Sequence, residues 1–173
     1  METKNYSERA IQNFDLGVFS QSGGSEDCLY LNVFVPQNSK NKKLPVFFWI
    51  HGGGLFVGSA SNYDPVPLAK QGKAVVVTFN YQLGAFGFFA HPALDSEGHS
   101  FANYGLMDQI FALDWIRRNI SKFGGDPENI TIAGESSGGQ SVLAFMVSPK
   151  TEGKFQAAIG MSACTVALNS DFT

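Results

Sequence analysis

The sequence predicts an α/β fold whose sheet is mixed at its start and parallel later, with helices packed against it. Three observations carry this. Strand-like runs alternate with helix-like runs after an opening pair of strands. Gly134-Glu135-Ser136-Ser137-Gly138 fits G-x-S-x-G, with a β-prone run at 130–133 before it and a helix-prone run at 140–147 after it. That strand–turn–helix order raises a serine on a sharp turn at the carboxyl edge of a sheet. Finally, His51-Gly52-Gly53-Gly54 directly follows an apolar strand, and its glycines leave backbone N–H groups free to turn toward a reacting oxygen.

Taken in order, residues 1–25 are polar and unpatterned and read as coil. Leu29, Leu31, Val33 and Val35 then alternate with Tyr30, Asn32 and Phe34, which is strand periodicity, and Pro36 stops the run. A polar link with Lys40, Lys42 and Lys43 leads to Pro45-Val46-Phe47-Phe48-Trp49-Ile50. This continuously apolar run suits a strand covered on both faces. The short link predicts that the two strands pair antiparallel as a hairpin. Residues 65–71 read as a short helix ended by Gly72, and 74–79 as a buried, β-branched strand. Residues 80–100 read as a long loop rich in Gly and Phe. Loops of that length are functional or fold down as Ω-loops, so Phe86, Phe88 and Phe89 either line an acyl pocket or pack the loop down.

The clearest helix covers 103–122. Leu106, Ile110, Leu113, Ile116 and Ile120 recur at helical spacing, and Met107, Phe111 and Trp115 add a second stripe. The resulting wide apolar arc predicts firm packing on a sheet, with Asp114 paired to Arg117 or Arg118 on the outer face. Gly124-Gly125 ends the helix and Asp126-Pro127 turns the chain into the strand before Ser136. At the apex of its turn Ser136 needs a positive φ, and Gly134 and Gly138 allow strand and helix to approach around it. A last strand is expected at 157–161, followed by polar coil.

The chain has 173 residues, 44% apolar and 16% charged, with a formal charge of −3. The acidic balance argues against nucleic acid or an acidic membrane as partner, since both reward a basic surface. No run of 18 apolar residues exists to span a membrane. The N-terminus lacks the apolar core of a signal peptide, which makes the protein cytoplasmic if Met1 is the native start. Cys28 and Cys164 read as free buried thiols, with a disulfide between them left open.

Two stretches, Glu26 to Pro36 and Phe123 to Gly138, resemble the diagnostic patterns of the type-B carboxylesterase family. That group includes carboxylesterases, para-nitrobenzyl esterases and cholinesterases. His51 to Gly54, Asn80-Tyr81, Gly87-Phe88, Asn103 to Gln109 and Ala112 to Asn119 resemble further landmarks in family order. The resemblance implies an α/β-hydrolase fold, present here as one partial domain over 1–173. It implies hydrolysis of a small-molecule carboxylic ester through an acyl-enzyme, with no metal or organic cofactor. Ser136 matches the nucleophile, and Gly53, Gly54 and Ser137 match the oxyanion-hole donors. His51 is expected to position the glycine loop rather than act as a base, and Glu135 to be a structural carboxylate.

The departures set further expectations. The fold orders its triad as Ser, then acid, then His. His51, His91 and His99 all precede Ser136, and the only later acids are Glu152 and Asp171. The chain therefore reads as an N-terminal fragment that holds the nucleophile and oxyanion hole without the triad acid and histidine. Such a fragment is expected to leave a sheet edge unpaired, to aggregate and to turn over esters negligibly. Gln82 stands where the family usually has Arg, which removes an ion pair with an acid such as Asp108. The family's usual upstream disulfide partner for Cys28 is absent. Within the same resemblance the alternatives are a non-catalytic adhesion-type protein or an inactive truncated hydrolase. Adhesion members usually replace the nucleophile, and Ser136 is intact. An amidase or thioesterase would share the oxyanion chemistry.

Overall fold

The computed structural model describes residues 5–17, 20–37, 39, 42–71, 73–95 and 102–163. Its strands are β1 (Leu31–Phe34), β2 (Leu44–Ile50), β3 (Val75–Phe79), β4 (Gly125–Glu135) and β5 (Ala157–Met161). Its helices are α1 (Val66–Lys70), α2 (Gly84–Phe88), α3 (Pro92–Asp95), α4 (Tyr104–Asn119) and α5 (Ser137–Val147). The strands form one sheet in the order β1-β3-β2-β4-β5. β1 runs antiparallel to β3, whereas β3, β2, β4 and β5 are mutually parallel. The sheet is therefore mixed at its first strand and parallel thereafter, as an α/β-hydrolase sheet with flanking helices requires.

The expected hairpin between the first two strands is absent. Leu31 pairs with Phe79 and Phe34 with Val76, so β3 lies between β1 and β2. Only loops of about two to five residues force a hairpin register, and the link from Phe34 to Leu44 is longer. β2 takes the central position because it can bury both its edges between parallel neighbours. β1 is also shorter than its alternation suggested, with Leu29 and Val35 exposed beyond its ends. β4 extends farther than expected and contains Pro127, in the stretch where its register with β2 shifts. A proline is tolerated in a strand at such an irregularity.

Val46, Phe48 and Ile50 of β2, Val75 and Val77 of β3, and Ile130 and Ile132 of β4 are almost fully buried. They share one core with Leu113 and Ile116 of α4 and Val142 and Phe145 of α5. Phe47 and Trp49 on the alternate face of β2 are only half-buried and stack on each other, so that face is covered less completely than the apolar run implied. The stripe on α4 divides in the same way. Leu113 and Ile116 are sealed, but Phe111 is 66% exposed and carries Arg118 over its ring. Asp114 pairs with Lys154 at 2.6 Å, and Arg117 with Glu128 at 3.2 Å, rather than with each other. The partners lie across the gap to β4 and the turn before β5, where no local helical rule could find them.

The long loop folds into α2 and α3 over its first part. Gly87 and Gly105 both back onto the Gln82 carbonyl, and Phe88 lies against Gly105, so at least this phenylalanine packs the segment onto α4. Phe86 and Phe89 are exposed. The described residues of the segment before β1 are also more ordered than coil: Ala10 bridges Ser25, Gln12 bridges Gly23, and Ala10, Gln12 and Ser20 are buried. Cys28 is a buried free thiol pushed up to about 11 by burial and by the charge of Asp108. Gly72, His99, Cys164, Asp171 and the expected C-terminal coil lie outside the described residues. Among the described strands β5 forms one end of the sheet, with Ile159 and Met161 partly open to solvent.

The two stripes of α4 should differ sharply in energy. Leu113→Ala is expected to lower stability in urea unfolding by about 2–5 kcal/mol, and Phe111→Ala by about 1 kcal/mol or less.

Candidate active site

β4 ends at Glu135 and α5 begins at Ser137, so Ser136 alone makes the turn, at φ 55° and ψ −122°. Such a backbone costs a non-glycine residue about 1–3 kcal/mol and persists only where the surroundings over-determine it. Those surroundings are visible. The Ser136 N–H donates to the Met161 carbonyl at 2.9 Å, and the Ser136 carbonyl accepts from the Gln140 N–H at 3.0 Å. A Cβ on Gly134 would strike the Gly138 carbonyl, and one on Gly138 would strike the Ile50 carbonyl. The carboxyl ends of β2 and β4 and the first turn of α5 thus meet backbone to backbone.

The loop after β2 sits on this junction. A Cβ on Gly52 would lie 3.1 Å from the Ser136 Cβ and 2.7 Å from the Glu135 carbonyl. Gly53 and Gly54 have φ values of 107° and 65°, and Leu55 follows at 67°. The Gly53 carbonyl accepts from the N–H groups of Phe56 and Val57 at 3.2 and 3.0 Å, closing the loop on itself. The Leu55 N–H donates to Ser137 Oγ at 3.2 Å, and the Leu55 carbonyl accepts from the Gly84 N–H at 2.8 Å. The four residues singled out from the sequence, Ser136, Gly53, Gly54 and Ser137, therefore belong to one contiguous junction. Leu55 and Ser136 both hold positive φ there, and strained backbone of this kind concentrates at functional sites. The exposed Phe56 ring packs beside Gly54 and meets the Phe14 ring at 5.4 Å, which places two aromatic side chains at the rim.

His51 is fully buried behind the loop. Its ring stacks on Tyr81 with centroids 4.4 Å apart. Nδ1 donates to the Gly52 carbonyl at 2.8 Å, and Tyr81 Oη donates to the His51 carbonyl at 2.8 Å. Burial pulls the imidazole down to about 4, against a smaller upward push from the Gly52 hydrogen bond. The ring is therefore neutral near neutral pH and braces the loop. His91 is exposed and accepts from the Ala93 N–H. Among the described residues no histidine hydrogen-bonds to Ser136. Glu135 packs its carboxylate 3.0 Å from the Cβ position of Gly52.

Gln82 reaches Asp108 through its main chain, which no side-chain comparison with Arg could anticipate: its N–H donates to Asp108 Oδ2 at 3.0 Å. Burial raises the Asp108 carboxyl and this hydrogen bond offsets part of the rise. The sequence reading missed Tyr81 and Asn80 as supports. Asn80 Oδ1 accepts from the Ala60 N–H at 2.9 Å and from Ser59 Oγ at 3.2 Å, pinning the chain beyond the glycine loop. Gln12 was missed too, because an isolated polar residue in an unpatterned segment gives no periodic signal.

The sequence and fold have counterparts among known proteins. The sequence profile of the carboxylesterase family matches residues 1–171. The chain belongs to the carboxylesterase family. It is 49% identical over 149 residues to the para-nitrobenzyl esterase of Bacillus subtilis, covering 85% of this chain and 30% of the relative. It is 50% identical over 139 residues to liver carboxylesterase 1 of Oryctolagus cuniculus, covering 80% of this chain and 24% of the relative. Among solved structures, a thermophilic para-nitrobenzyl esterase superposes with a TM-score of 0.83 at 45% identity, covering 92% of this chain and 34% of that one. The chain thus spans about a quarter to a third of the length of these relatives. No described helix is long and apolar enough to cross a membrane.

The buried imidazole makes stability depend on pH. The folded value of about 4 lies below the ordinary 6.5, so as pH falls the unfolded chain takes up this proton first. The stabilisation is present above about pH 6.5 and is lost as pH falls toward 4. At about 1.4 kcal/mol per pH unit the loss approaches about 3 kcal/mol. Urea unfolding at pH 7 and pH 4.5 should show this slope in the wild type and a shallower one in His51→Gln.

Proposed function

We propose that this chain carries the nucleophile and the oxyanion-binding half of a serine carboxylic ester hydrolase. The observation that carries the reading is the positive φ of Ser136 between β4 and α5, with the Gly52–Leu55 loop seated directly upon it. A serine raised on such a turn is exposed to an incoming carbonyl, and a neighbouring loop with left-handed glycines turns N–H groups toward one point. Family membership and close relatives named as esterases support the same chemistry.

In this reading Ser136 Oγ attacks the ester carbonyl carbon as a general base takes the hydroxyl proton. The carbonyl π electrons move to oxygen, and that oxygen is held by the N–H groups of Gly53, Gly54 and Ser137. The amino end of α5 adds a favourable partial charge at the same point. Collapse expels the alcohol and leaves an acyl group on Ser136, which water then removes. The base is neither His51, which is neutral, buried and turned to Gly52, nor His91, which is exposed and bonded to its own helix. In the fold's order it is a histidine later in sequence than the serine. The substrate is a small-molecule carboxylic ester, and the aromatic rim of Phe14 and Phe56 favours an apolar group on it.

Hydrolysis of p-nitrophenyl acetate by the full gene product tests this. Ser136→Ala is expected to lower kcat by about 10³-fold or more. Gly54→Ala is expected to lower it by about 10²–10³-fold, because the new Cβ meets the Phe56 ring at a φ of 65° and tips the loop. No ester turnover, or turnover that survives Ser136→Ala, would contradict the proposal.

A further inference from the structure

The buried amide of Gln12 is held through both its oxygen and its nitrogen. Its Oε1 accepts from the Gly58 N–H at 2.9 Å and lies 3.0 Å from Ser20 Oγ, whose single hydroxyl proton it shares with the Phe14 carbonyl at 2.7 Å. Its Nε2 donates to the Gly58 carbonyl at 3.0 Å and to the Ala10 carbonyl at 3.1 Å. The side chain therefore grips Gly58 from both sides, as one strand grips another. Gln12 is in turn fixed by its own main chain, which exchanges both hydrogen bonds with Gly23 at 2.9 and 2.8 Å. It is 4% exposed.

Gly58 is where the glycine loop leaves the junction. At φ 112° it lies so close to the loop's start that a Cβ would sit 2.6 Å from the Gly52 carbonyl and 2.7 Å from His51 Nδ1. The loop between is held at its first residue by Tyr81 and in its middle by Ser137 and Gly84. Its far end is gripped by Gln12, 46 residues earlier in the chain. Releasing that end frees the loop to tilt about its remaining anchors, and the N–H groups of Gly53 and Gly54 move with it.

We infer that Gln12 is a positioning residue for oxyanion binding: through Gly58 it fixes the glycine loop at the geometry the transition state requires. The inference rests on the ester-hydrolase reading for its catalytic consequence. An oxyanion donor acts on the charge that develops in the transition state rather than on the ground-state carbonyl. Loosening the loop therefore lowers kcat and leaves KM nearly unchanged. Loss of one whole donor costs about 10²–10³-fold, and a misplaced donor costs less, so the expected fall is about 10–100-fold.

Gln12→Met tests this because it keeps the side chain's length and bulk and removes all its hydrogen bonds to Gly58. Ser20→Ala is the control, since it removes the hydroxyl beside the same Oε1 and leaves the grip on Gly58. Both are measured in the full gene product by p-nitrophenyl acetate kinetics and by amide hydrogen exchange across residues 52–58. The expected result for Gln12→Met is a kcat lower by about 10–100-fold, a KM within about threefold, and faster exchange in that segment. Ser20→Ala should stay near wild type in both. Undiminished kcat, a loss confined to KM, or unchanged exchange overturns the inference. Failure of both Gln12→Met and Gln12→Asn to fold assigns Gln12 to stability alone and also overturns it. If the wild type does not hydrolyse the ester, the ester-hydrolase reading fails instead, and the exchange comparison alone decides whether Gln12 fixes the loop.

Discussion

Backbone touching backbone around Ser136 is the constraint on which the other features depend. Three chain segments converge there: the end of β2, the end of β4 and the first turn of α5. A Cβ at Gly52, Gly134 or Gly138 would fall on a neighbouring main-chain atom. The order of strands follows from this need. β2 and β4 must be adjacent and parallel so that both carboxyl ends arrive together, and Ile50 is indeed paired with Gly134. β5 runs parallel on the other side of β4 and offers the Met161 carbonyl to the Ser136 N–H. The sealed core beneath, from Phe48 and Ile132 to Val142 and Phe145, fixes α5 against the sheet and so fixes the angle of the turn.

The supports of the glycine loop come from distant parts of the chain and use different chemistry. Tyr81, at the end of β3, carries a hydroxyl that donates to the His51 carbonyl and a ring that stacks on the His51 imidazole. Keeping that imidazole neutral makes this packing possible, since a buried charge without a partner would be expensive. The segment before β1 contributes Gln12, and its two-sided grip on Gly58 explains why a stretch of polar residues is ordered at all. Half-buried Asp108 shows the same economy, with a main-chain N–H from Gln82 serving where a charged partner is missing.

Much of the fold was legible in the sequence, and for identifiable reasons. The α4 helix and the strands β3 and β5 declare themselves by local periodicity or by β-branched, apolar runs. The serine turn is a dense short-range pattern whose strand and helix lie within a few residues of it. Which strand neighbours which is a long-range property, so the pairing of β1 with β3 could not be read from the link after β1. Likewise Lys154 finds Asp114 across elements, whereas the helical spacing rule sees only Arg117 and Arg118. At the site, the glycines and serines were visible because they form motifs. Asn80 and Tyr81 stood out as a family landmark but not as supports of the loop, and Gln12 not at all, because all three act through contacts between residues far apart in sequence.

The most direct measurement is the site of covalent modification by a fluorophosphonate, which reacts with a serine only when it is activated and its adduct oxygen is held by oxyanion donors. The full gene product is treated with the probe, digested, and the adduct located by mass. The expected result is one adduct, on Ser136, abolished in Ser136→Ala and slowed in Gly54→Ala. An unlabelled protein, or an adduct on Ser137 or elsewhere with Ser136 untouched, would contradict the assignment of this junction as the nucleophile and its oxyanion hole.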